Sequence, residues 1–284
     1  MSDRSPGGLR DPAFIRASVP FFEWMLERYH TFSIDGVEHL PEGRALIVGN
    51  HNGGIVAPDM FALMLTFWRR FGVERPAYGL MHDFACRFPV TGKFTMRLGG
   101  VAAHPANAIR LLERDAPVLV YPGGALDAFR PSSRRNKVVF SGRSGFVRVA
   151  LRSRAPIIPV VAAGAHDGFH IFTDGSAFAE RTGLKKHTRI EVVPIIAGLP
   201  WGVYVGPGWY WPLPVRMKLR ILPPMTWPEL GPEHANDDAI VARCAEQVRV
   251  RMQQTLDTLV AEGGSGSRLL GGRLGRAIIS RLGG

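Results

Sequence analysis

The chain has 284 residues, of which 46% are hydrophobic and 21% charged, and this composition excludes a disordered chain, a collagen and a small disulfide-built domain. Lysine and arginine number 35 against 24 aspartate and glutamate, a formal net charge of +11, so we expect an anionic partner such as nucleic acid, a phosphorylated metabolite or an acidic lipid surface. Two cysteines, Cys86 and Cys244, make no disulfide framework and favour a reducing compartment. The first residues lack a charged-then-apolar leader, so we expect no secretory signal.

The N-terminal region, 1–31, is predicted to hold a polar segment followed by an amphipathic helix. Apolar residues recur at helical spacing from Pro12 to about His30. Pro20 is expected to break this helix or to start it afresh, because proline removes a backbone donor. The aromatic density of the segment fits a membrane-interface face as well as a core face.

Residues 32–230 are predicted to form one domain in which short apolar strands alternate with helices. The predicted strands are 45–48, 77–81, 117–121 and 157–161, and the predicted helices are 60–71, 106–114 and 145–152. This alternation indicates a mixed α/β fold with a largely buried sheet.

The stretch 192–215 carries no charged residue and is long enough to span a bilayer, but its five prolines forbid a regular helix. Its tryptophans and tyrosines favour either the headgroup layer of a membrane or an irregular aromatic loop on the core, and both interpretations stay open. Downstream we expect a long C-terminal surface helix from Glu233 to Glu262, in the segment 231–262. A Gly/Ser linker and a basic amphipathic tail follow in 263–284, and the tail suits an anionic membrane surface.

The strongest local motif is the run Asn50-His51-Asn52-Gly53-Gly54, which follows a buried strand and precedes a helix that begins at Pro58-Asp59. Strand ends that lead into helices are where α/β proteins place reactive groups. A neutral imidazole there can take a proton from an alcohol if a carboxylate fixes its tautomer. Alternatively, His51 is a hydrogen-bonded loop residue and Asp59 a helix cap.

A second motif ends the strand at 117–121: Tyr121-Pro122-Gly123-Gly124, with an acid at Asp127 and a cation at Arg130. Exposed backbone N–H groups in such a turn can bind an oxyanion or a phosphate. Alternatively, a lone Pro-Gly-Gly turn only connects two secondary-structure elements and binds nothing.

In order and spacing, these segments resemble the PlsC-like glycerolipid acyltransferase family. The family has four sequence blocks. Asn50-His51…Asp59 is similar to the first block, and the segment from Arg97 through His104 is similar to the second. The segment from Tyr121 through Asp127 is similar to the third block, and 157–161 is similar to the fourth. The Tyr-Pro-Gly-Gly-Ala form followed by an acid resembles the diacylglycerol acyltransferase-like branch. The resemblance covers roughly residues 32–225 and implies one mixed-sheet acyltransferase domain flanked by helices.

Several positions depart from the family pattern. Seven residues separate His51 from Asp59 instead of four, and the family spacing occurs instead at His30 and Asp35, which we interpret as coincidence. Gly123 replaces the usual glutamate of the third block and His104 matches the arginine of the second. Because those groups usually grip an acceptor phosphate, a neutral acceptor such as diacylglycerol or another lipid alcohol is favoured.

The resemblance implies direct acyl transfer from acyl-CoA or acyl carrier protein to a lipid hydroxyl, with His51 as general base and Asp59 orienting it. Backbone amides at Gly123 and Gly124 would hold the oxyanion. The implied substrate-binding residues are Asn50, Gly53, Gly54, Arg97, His104, Pro122, Gly123, Gly124, Asp127 and Arg130. The expected partners are the acyl donor, the lipid acceptor and an anionic membrane, with peripheral or monotopic attachment on the cytoplasmic side, no bound cofactor and no metal.

Three alternatives accompany this interpretation. His166 and His170 lie four residues apart and could hold a metal, but the neighbouring glycines make a helix unexpected there. A basic nucleic-acid-binding protein fits the charge, although the chain shows no reader motif. An inactive lipid-binding homologue is kept open by the long interval between His51 and Asp59.

Overall fold

The computed structural model describes residues 8–54, 57–82, 91–182, 191–206, 208 and 210–263. Seven strands form the main sheet in the order β1–β10–β6–β2–β5–β3–β4, and three form a small second sheet in the order β7–β8–β9. The strands are β1 (Thr31–Asp35), β2 (Leu46–Gly49), β3 (Tyr78–Met81), β4 (Gly100–Ala102), β5 (Val118–Val120), β6 (Ile157–Ala163), β7 (His170–Thr173), β8 (Ile195–Gly198), β9 (Gly202–Val205) and β10 (Arg216–Ile221).

Helices cover both faces of the main sheet. They are α1 (Pro12–Glu23), α2 (Pro58–Phe71), α3 (Thr91–Arg97), α4 (Pro105–Glu113), α5 (Gly124–Ala128), α6 (Gly145–Ser153), α7 (Ser176–Arg181) and α8 (Asp238–Ala261). A π-helical turn, Trp24–Tyr29, continues α1, and shorter 3₁₀ turns include Ala165–Gly168 and Pro232–Asn236. Within the described ranges, no helix combines the length and the apolarity that crossing a membrane requires.

The central strands are buried on both faces, which explains their continuous apolar sequences. In β2, Leu46 and Val48 join a core cluster shared with α4, α6 and α8, while Ile47 joins the opposite cluster, shared with α1 and α2. Neighbouring side chains of a strand point to opposite faces, so one short apolar strand contributes to two cores.

Five strands of the main sheet are parallel, and their carboxyl ends therefore meet at one side of it, called here the carboxyl edge. β2 pairs in parallel with β5 and β6, and β3 pairs in parallel with β4 and β5. β10 runs antiparallel to β6 and parallel to β1. The prediction of a mixed α/β fold with one central sheet is confirmed.

The uncharged stretch 192–215 contains regular strands, which corrects the expectation of an irregular loop. It contains β8 and β9, which form an antiparallel hairpin beside β7, so backbone pairing orders this part of the stretch. Ile196 and Tyr210 are buried in a third core cluster, together with Phe169 and Ile171. The stretch is therefore not simply an irregular loop, and its place in the headgroup layer of a membrane stays a prediction.

Helix α1 also corrects an expectation, because it runs through Pro20 without a break. Pro20 is exposed, so the carbonyl that loses its partner lies on the solvent side of the helix, where water can satisfy it. The opposite side buries Ile15 and Phe22. Tertiary burial therefore holds the helix together despite the missing donor.

The C-terminal helix starts later than expected. Pro232–Asn236 is a 3₁₀ turn, and α8 begins at Asp238 after the side chain of Asp237 caps its first amides. One face of α8 is buried, including Val248 and the free Cys244, so it is a core-forming helix. The linker from residue 264, the basic tail and Cys86 lie outside the described residues.

Candidate active site

The residues singled out in the sequence meet at the carboxyl edge of the main sheet. His51 follows β2 by two residues, and Pro122 follows β5 by two residues. α2 begins at Pro58, and Asp59 lies in its first turn. Because β2 and β5 are parallel neighbours, the fold places the loop 50–54 and the turn 121–124 side by side, as expected for the carboxyl ends of such a sheet.

The buried ion pair of Asp127 and Arg130 binds the peptide groups on both sides of His51. The His51 N–H donates to Asp127 Oδ2 at 2.6 Å, and the His51 carbonyl accepts from Arg130 Nη1 at 2.5 Å. Asp127 and Arg130 are themselves joined by a 2.9 Å hydrogen bond between Oδ1 and Nη1. The second motif, through Asp127 and Arg130, therefore fixes the backbone on both sides of the His51 ring.

Two asparagines attach the same loop to β6. Asn50 exchanges two hydrogen bonds with the backbone of Ala162, at 2.9 and 2.8 Å, in the manner of a strand partner. Asn52 donates to the Ala162 carbonyl at 3.0 Å, and its side-chain oxygen accepts from Arg130 at 3.2 Å. Both side chains are buried, so the structure gives Asn50 a supporting position, and its predicted contact with substrate stays a prediction.

Gly53 and Gly54 allow Tyr210 to close over the loop. The Tyr210 hydroxyl donates to the Gly53 carbonyl at 2.5 Å. Gly54 has a φ of +61°, and a Cβ there would lie 2.2 Å from the Tyr210 oxygen. Glycine is thus required at this position by conformation and by space.

The His51 ring and the Asp59 carboxyl each leave one polar atom without a partner. Nδ1 of His51 and Oδ1 of Asp59 are buried and accept or donate no hydrogen bond, and none joins the two residues. The His51 ring lies 4.8 Å from the ring of Tyr121, centroid to centroid. The residue is partly exposed although Nδ1 is buried, so the exposed part of the side chain lies away from Nδ1.

Burial shifts the pKa values of both residues toward their neutral forms. Desolvation, followed by the charge of Arg130, lowers the pKa of His51 to about 4. Desolvation raises the pKa of Asp59 to about 8, against the opposing effect of the backbone amides of Asp59 and Met60 at the start of α2. At neutral pH the imidazole is therefore an uncharged base and the carboxyl is largely protonated.

The turn 121–124 is packed as closely as its glycines imply. A Cβ at Gly123 would lie 2.0 Å from the Val139 carbonyl, and Gly124 has a φ of +56°. The Gly124 amide donates to the Tyr121 carbonyl at 3.2 Å, within the turn itself. Arg143 donates to the Gly123 carbonyl at 2.8 Å and forms an ion pair with Glu191. The oxyanion role of the Gly123 and Gly124 amides, and a substrate contact by Pro122, stay predictions.

The buried guanidinium of Arg130 is fully engaged by the protein. Each of its three nitrogens donates to a protein oxygen, from His51, Asn52, Asp127 and Arg135. Desolvation lowers the pKa of Arg130 and raises that of Asp127 to about 6, and each charge opposes the shift of the other. This arrangement supports the loop, and a direct grip on substrate by Asp127 or Arg130 stays a prediction.

Arg97 and His104 lie apart from the His51 loop. Arg97 precedes β4, at the opposite end of that strand from the carboxyl edge, where it pairs with Asp11 at 2.7 Å and covers the ring of Phe14. His104 follows β4 and is exposed, and its ring accepts from the Ala106 amide at 3.3 Å as the cap of α4. Arg97 thus lies away from the His51 loop, and the substrate contacts predicted for Arg97 and His104 stay predictions.

The competing histidine patterns do not form sites. His30 is buried and accepts from the Val215 amide, whereas Asp35 pairs with Arg220. His30 and Asp35 therefore do not pair with each other, although their spacing matches that of the family. His166 is buried after β6. Among the residues that the structure describes, His, Cys, Asp and Glu side chains form no group of three that could hold a metal ion.

The arrangement of this edge can be compared with known proteins. Residues 31–163, from β1 to the end of β6, match the family model described as Acyltransferase. This segment is an acyltransferase-family domain. It contains both motifs at the carboxyl edge, His51 and Asp59 as well as the turn 121–124.

Relatives of the acyltransferase domain include proteins from bacteria and animals. The chain is 28% identical over 253 residues to an uncharacterized protein of Mycobacterium leprae, covering 88% of this chain and 66% of that protein. It is 25% identical over 172 residues to the "DGAT1/2-independent enzyme synthesizing storage lipids" of Gallus gallus, covering 61% of this chain and 49% of the enzyme. The chain thus spans about two thirds of the first protein and about half of the second.

The fold also resembles a solved structure. The 1-acyl-sn-glycerophosphate acyltransferase PlsC of Thermotoga maritima superposes with a TM-score of 0.51 at 17% identity, covering 86% of this chain and 78% of that chain. This likeness confirms the predicted architecture of a PlsC-type domain, including its N-terminal helix.

Two residues that support the candidate site, Tyr210 and Arg143, were not predicted from the sequence. Tyr210 lies in a run of aromatic residues, and the only signal for it was that a buried tyrosine needs a hydrogen-bond partner. Arg143 lies between two glycines in a polar segment and carried no signal, because its contact with the Gly123 carbonyl depends on the tertiary fold.

Proposed function

We propose that this protein transfers a fatty acyl group from an acyl thioester to the hydroxyl of a lipid alcohol, with His51 as general base. The observation that carries the proposal is the state of the His51 loop. Its backbone is fixed by Asp127 and Arg130, while the ring atom Nδ1 and the Asp59 atom Oδ1 are left without partners in the protein. A buried polar atom without a partner is costly, so this pattern favours a functional role over a structural one.

The proposed step balances in protons and electrons. Nε2 of His51 lies on the ring side away from the buried Nδ1, and it takes the hydroxyl proton of the lipid alcohol. The oxygen of that alcohol attacks the thioester carbonyl at the same time. The C–O bond forms, the C–S bond breaks, and the leaving thiolate takes the proton from the imidazolium. Such general-base help is worth about 10² to 10⁴ in rate.

Asp59 is proposed to act on Nδ1 when the substrate is bound. A carboxylate accepting from Nδ1–H would fix the tautomer and stabilise the imidazolium. Hydrogen bonds of catalytic groups are often long or unformed in free enzymes, so the missing bond between His51 and Asp59 is compatible with this role.

The acceptor is proposed to be a neutral lipid alcohol. Gly123 stands where the family has an acid, and the guanidinium of Arg130 is turned inward to the protein. The printed name of the chicken relative, an enzyme synthesizing storage lipids, supports the same class of acceptor. The donor is proposed to be acyl-CoA or acyl carrier protein, at the cytoplasmic side of a membrane, with no bound cofactor, metal or nucleic acid needed for the step.

An inactive lipid-binding protein is the second candidate. The observation that favours it is the absence of a hydrogen bond between His51 and Asp59 in the part of the chain that the structure describes. The two candidates differ in one measurable property, which is turnover.

The test offers one radiolabelled acyl-CoA, and separately one acyl carrier protein, to lysophosphatidate, lysophospholipid, monoacylglycerol and diacylglycerol. We expect transfer to a neutral acceptor, and a loss of about 10² to 10⁴ in rate for His51→Ala. His39→Ala is the matched control, because His39 lies outside the site on a short 3₁₀ turn.

Full turnover by His51→Ala would contradict the general-base assignment. No transfer to any acceptor, with lipid still bound, would favour the inactive homologue. Transfer to lysophosphatidate alone would contradict the neutral acceptor.

A further inference from the structure

Large apolar side chains are exposed on two elements that are far apart in the sequence. On α1 and the π-helical turn, Phe21 and Trp24 are exposed, Trp24 by 50%. In the β8–β9 hairpin, the exposed residues are Leu199, Trp201, Val203 and Val205, with Trp201 63% accessible. Isolated exposed apolar residues are ordinary, but contiguous ones mark interaction surfaces.

Ring contacts join the two elements into one surface. The ring of Trp24 lies 6.3 Å from Phe21 and 6.0 Å from Tyr29, and Tyr29 lies 5.9 Å from Trp211. The Trp211 amide donates to the Leu199 carbonyl at 2.8 Å, which brings this series to the start of the hairpin.

Strand register explains the apolar side of the hairpin. Val203 and Val205 alternate with Tyr204, so both valines share the outer face of β9. Their partners in β8, Ala197 and Ile195, are also apolar. We call the whole surface the aromatic patch: Phe21, Trp24, Tyr29, Leu199, Trp201, Val203, Val205 and Trp211.

The charges around the aromatic patch fit an anionic membrane. The stretch 192–215 has no acidic residue, and the acids of the neighbouring helix, Glu23 and Glu27, both pair with Arg69, at 2.7 and 2.6 Å. Exposed arginines flank the patch in the chain, at Arg28 before Tyr29 and at Arg216 after the uncharged stretch. Tryptophan and tyrosine favour the headgroup layer, and nearby cations add attraction to anionic lipid.

The aromatic patch also adjoins the candidate active site. Tyr210, the residue before Trp211, donates to the Gly53 carbonyl of the His51 loop. A membrane that contacts Trp211 would therefore lie next to the loop that carries the proposed base.

We infer that the aromatic patch docks this protein on a bilayer containing anionic phospholipid, with the His51 loop at the membrane side. The inference deepens the proposed function, because a lipid acceptor could then reach the loop without crossing water. Two elements, α1 with its π-helical turn and the β8–β9 hairpin, would enter the headgroup layer together.

The test is flotation of the full chain with vesicles of phosphatidylcholine and phosphatidylserine in about 1 M salt, where the Debye length falls to about 3 Å. Under this screening, binding reports apolar insertion. We expect the double variant Trp24→Ser/Trp201→Ser to bind at least about tenfold more weakly than the parent. Val250→Ser, an exposed apolar residue on α8, is the matched control and should bind like the parent.

Unchanged vesicle binding by the double variant, at an unaltered unfolding midpoint, would overturn the inference. A concentration-dependent dimer in the parent that the double variant loses would overturn it as well, because the patch would then cover a second copy. Transfer to a short-chain acceptor below its micellar concentration separates the two proposals. A docking variant should retain that transfer, whereas His51→Ala should lose the transfer and still bind vesicles.

Discussion

At the scale of single residues, the burial of the Asp59 carboxyl lowers the free energy of unfolding, which a purely structural role would not require. Its carboxyl is buried with Oδ1 unpartnered, and its pKa is about 8 in the folded chain against 3.8 in a model peptide. The folded state therefore holds one more proton than the unfolded state between these values, and the free energy of unfolding falls as the pH rises from about 4 to about 8.

Asp59→Asn removes this titration while keeping the shape of the side chain. At about 1.36 kcal/mol for each pKa unit, the upper limit of the gain in stability at pH 8 is roughly 5 kcal/mol. We expect the variant to exceed the parent by more than about 1 kcal/mol at pH 8 and by much less at pH 5. Urea unfolding at both pH values measures this, and a gap that does not grow with pH would contradict a raised pKa.

The same substitution has an opposite effect on catalysis. If the carboxylate stabilises the imidazolium of His51, kcat/KM of the parent rises with pH through about 8 as Asp59 loses its proton. Asp59→Asn should lower the rate and remove this rise. A variant that keeps the parent's pH profile would place the titrating group elsewhere.

At the scale of elements, the buried pair Asp127–Arg130 links the end of β5 to the end of β2. Asp127 belongs to α5 and Arg130 follows it, yet both contact the His51 peptide of the neighbouring loop. Breaking a buried ion pair by removing one partner costs about 3–5 kcal/mol, because the remaining charge is uncompensated. The pair therefore contributes to stability and to the position of the base.

These two contributions can be separated by comparing single and double substitutions. Asp127→Asn should lower the free energy of unfolding by about 3–5 kcal/mol, and the double variant Asp127→Asn/Arg130→Met should recover part of that loss, because no buried charge is left unpaired. Turnover should stay low in both, since the His51 peptide has lost ligands in each. Urea unfolding and steady-state kinetics measure the two effects, and recovery of full turnover in the double variant would show that the pair does not position His51.

At the scale of the whole molecule, local pattern predicted what depends on few neighbours. The central sheet was predicted from the apolar runs of β2 and β6, and its turns from the glycines at 53, 54, 123 and 124. Both motifs lie at the same edge of that sheet. Contacts between distant segments left no local signal: Tyr210 over Gly53, Arg143 at the Gly123 carbonyl and the inward turn of Arg130 all depend on tertiary packing. Pro20 was misjudged for the same reason, because burial of Ile15 and Phe22 outweighs the loss of one helical hydrogen bond.

Net charge supplies the last prediction at this scale. Removing residues 264–284 deletes four arginines, Arg268, Arg273, Arg276 and Arg281, and no acid, so the formal net charge falls from +11 by 4 to +7. Each basic residue near an anionic surface contributes about 1 kcal/mol at low salt, so the truncated chain should bind phosphatidylserine vesicles at least about tenfold more weakly there. In about 1 M salt the two chains should bind alike, because the aromatic patch is unchanged. Flotation across a salt series measures both regimes, with the unfolding midpoint as control. Equal binding at low salt would show that the tail's charge does not contact the membrane, and a difference that persists at high salt would assign apolar insertion to the tail as well.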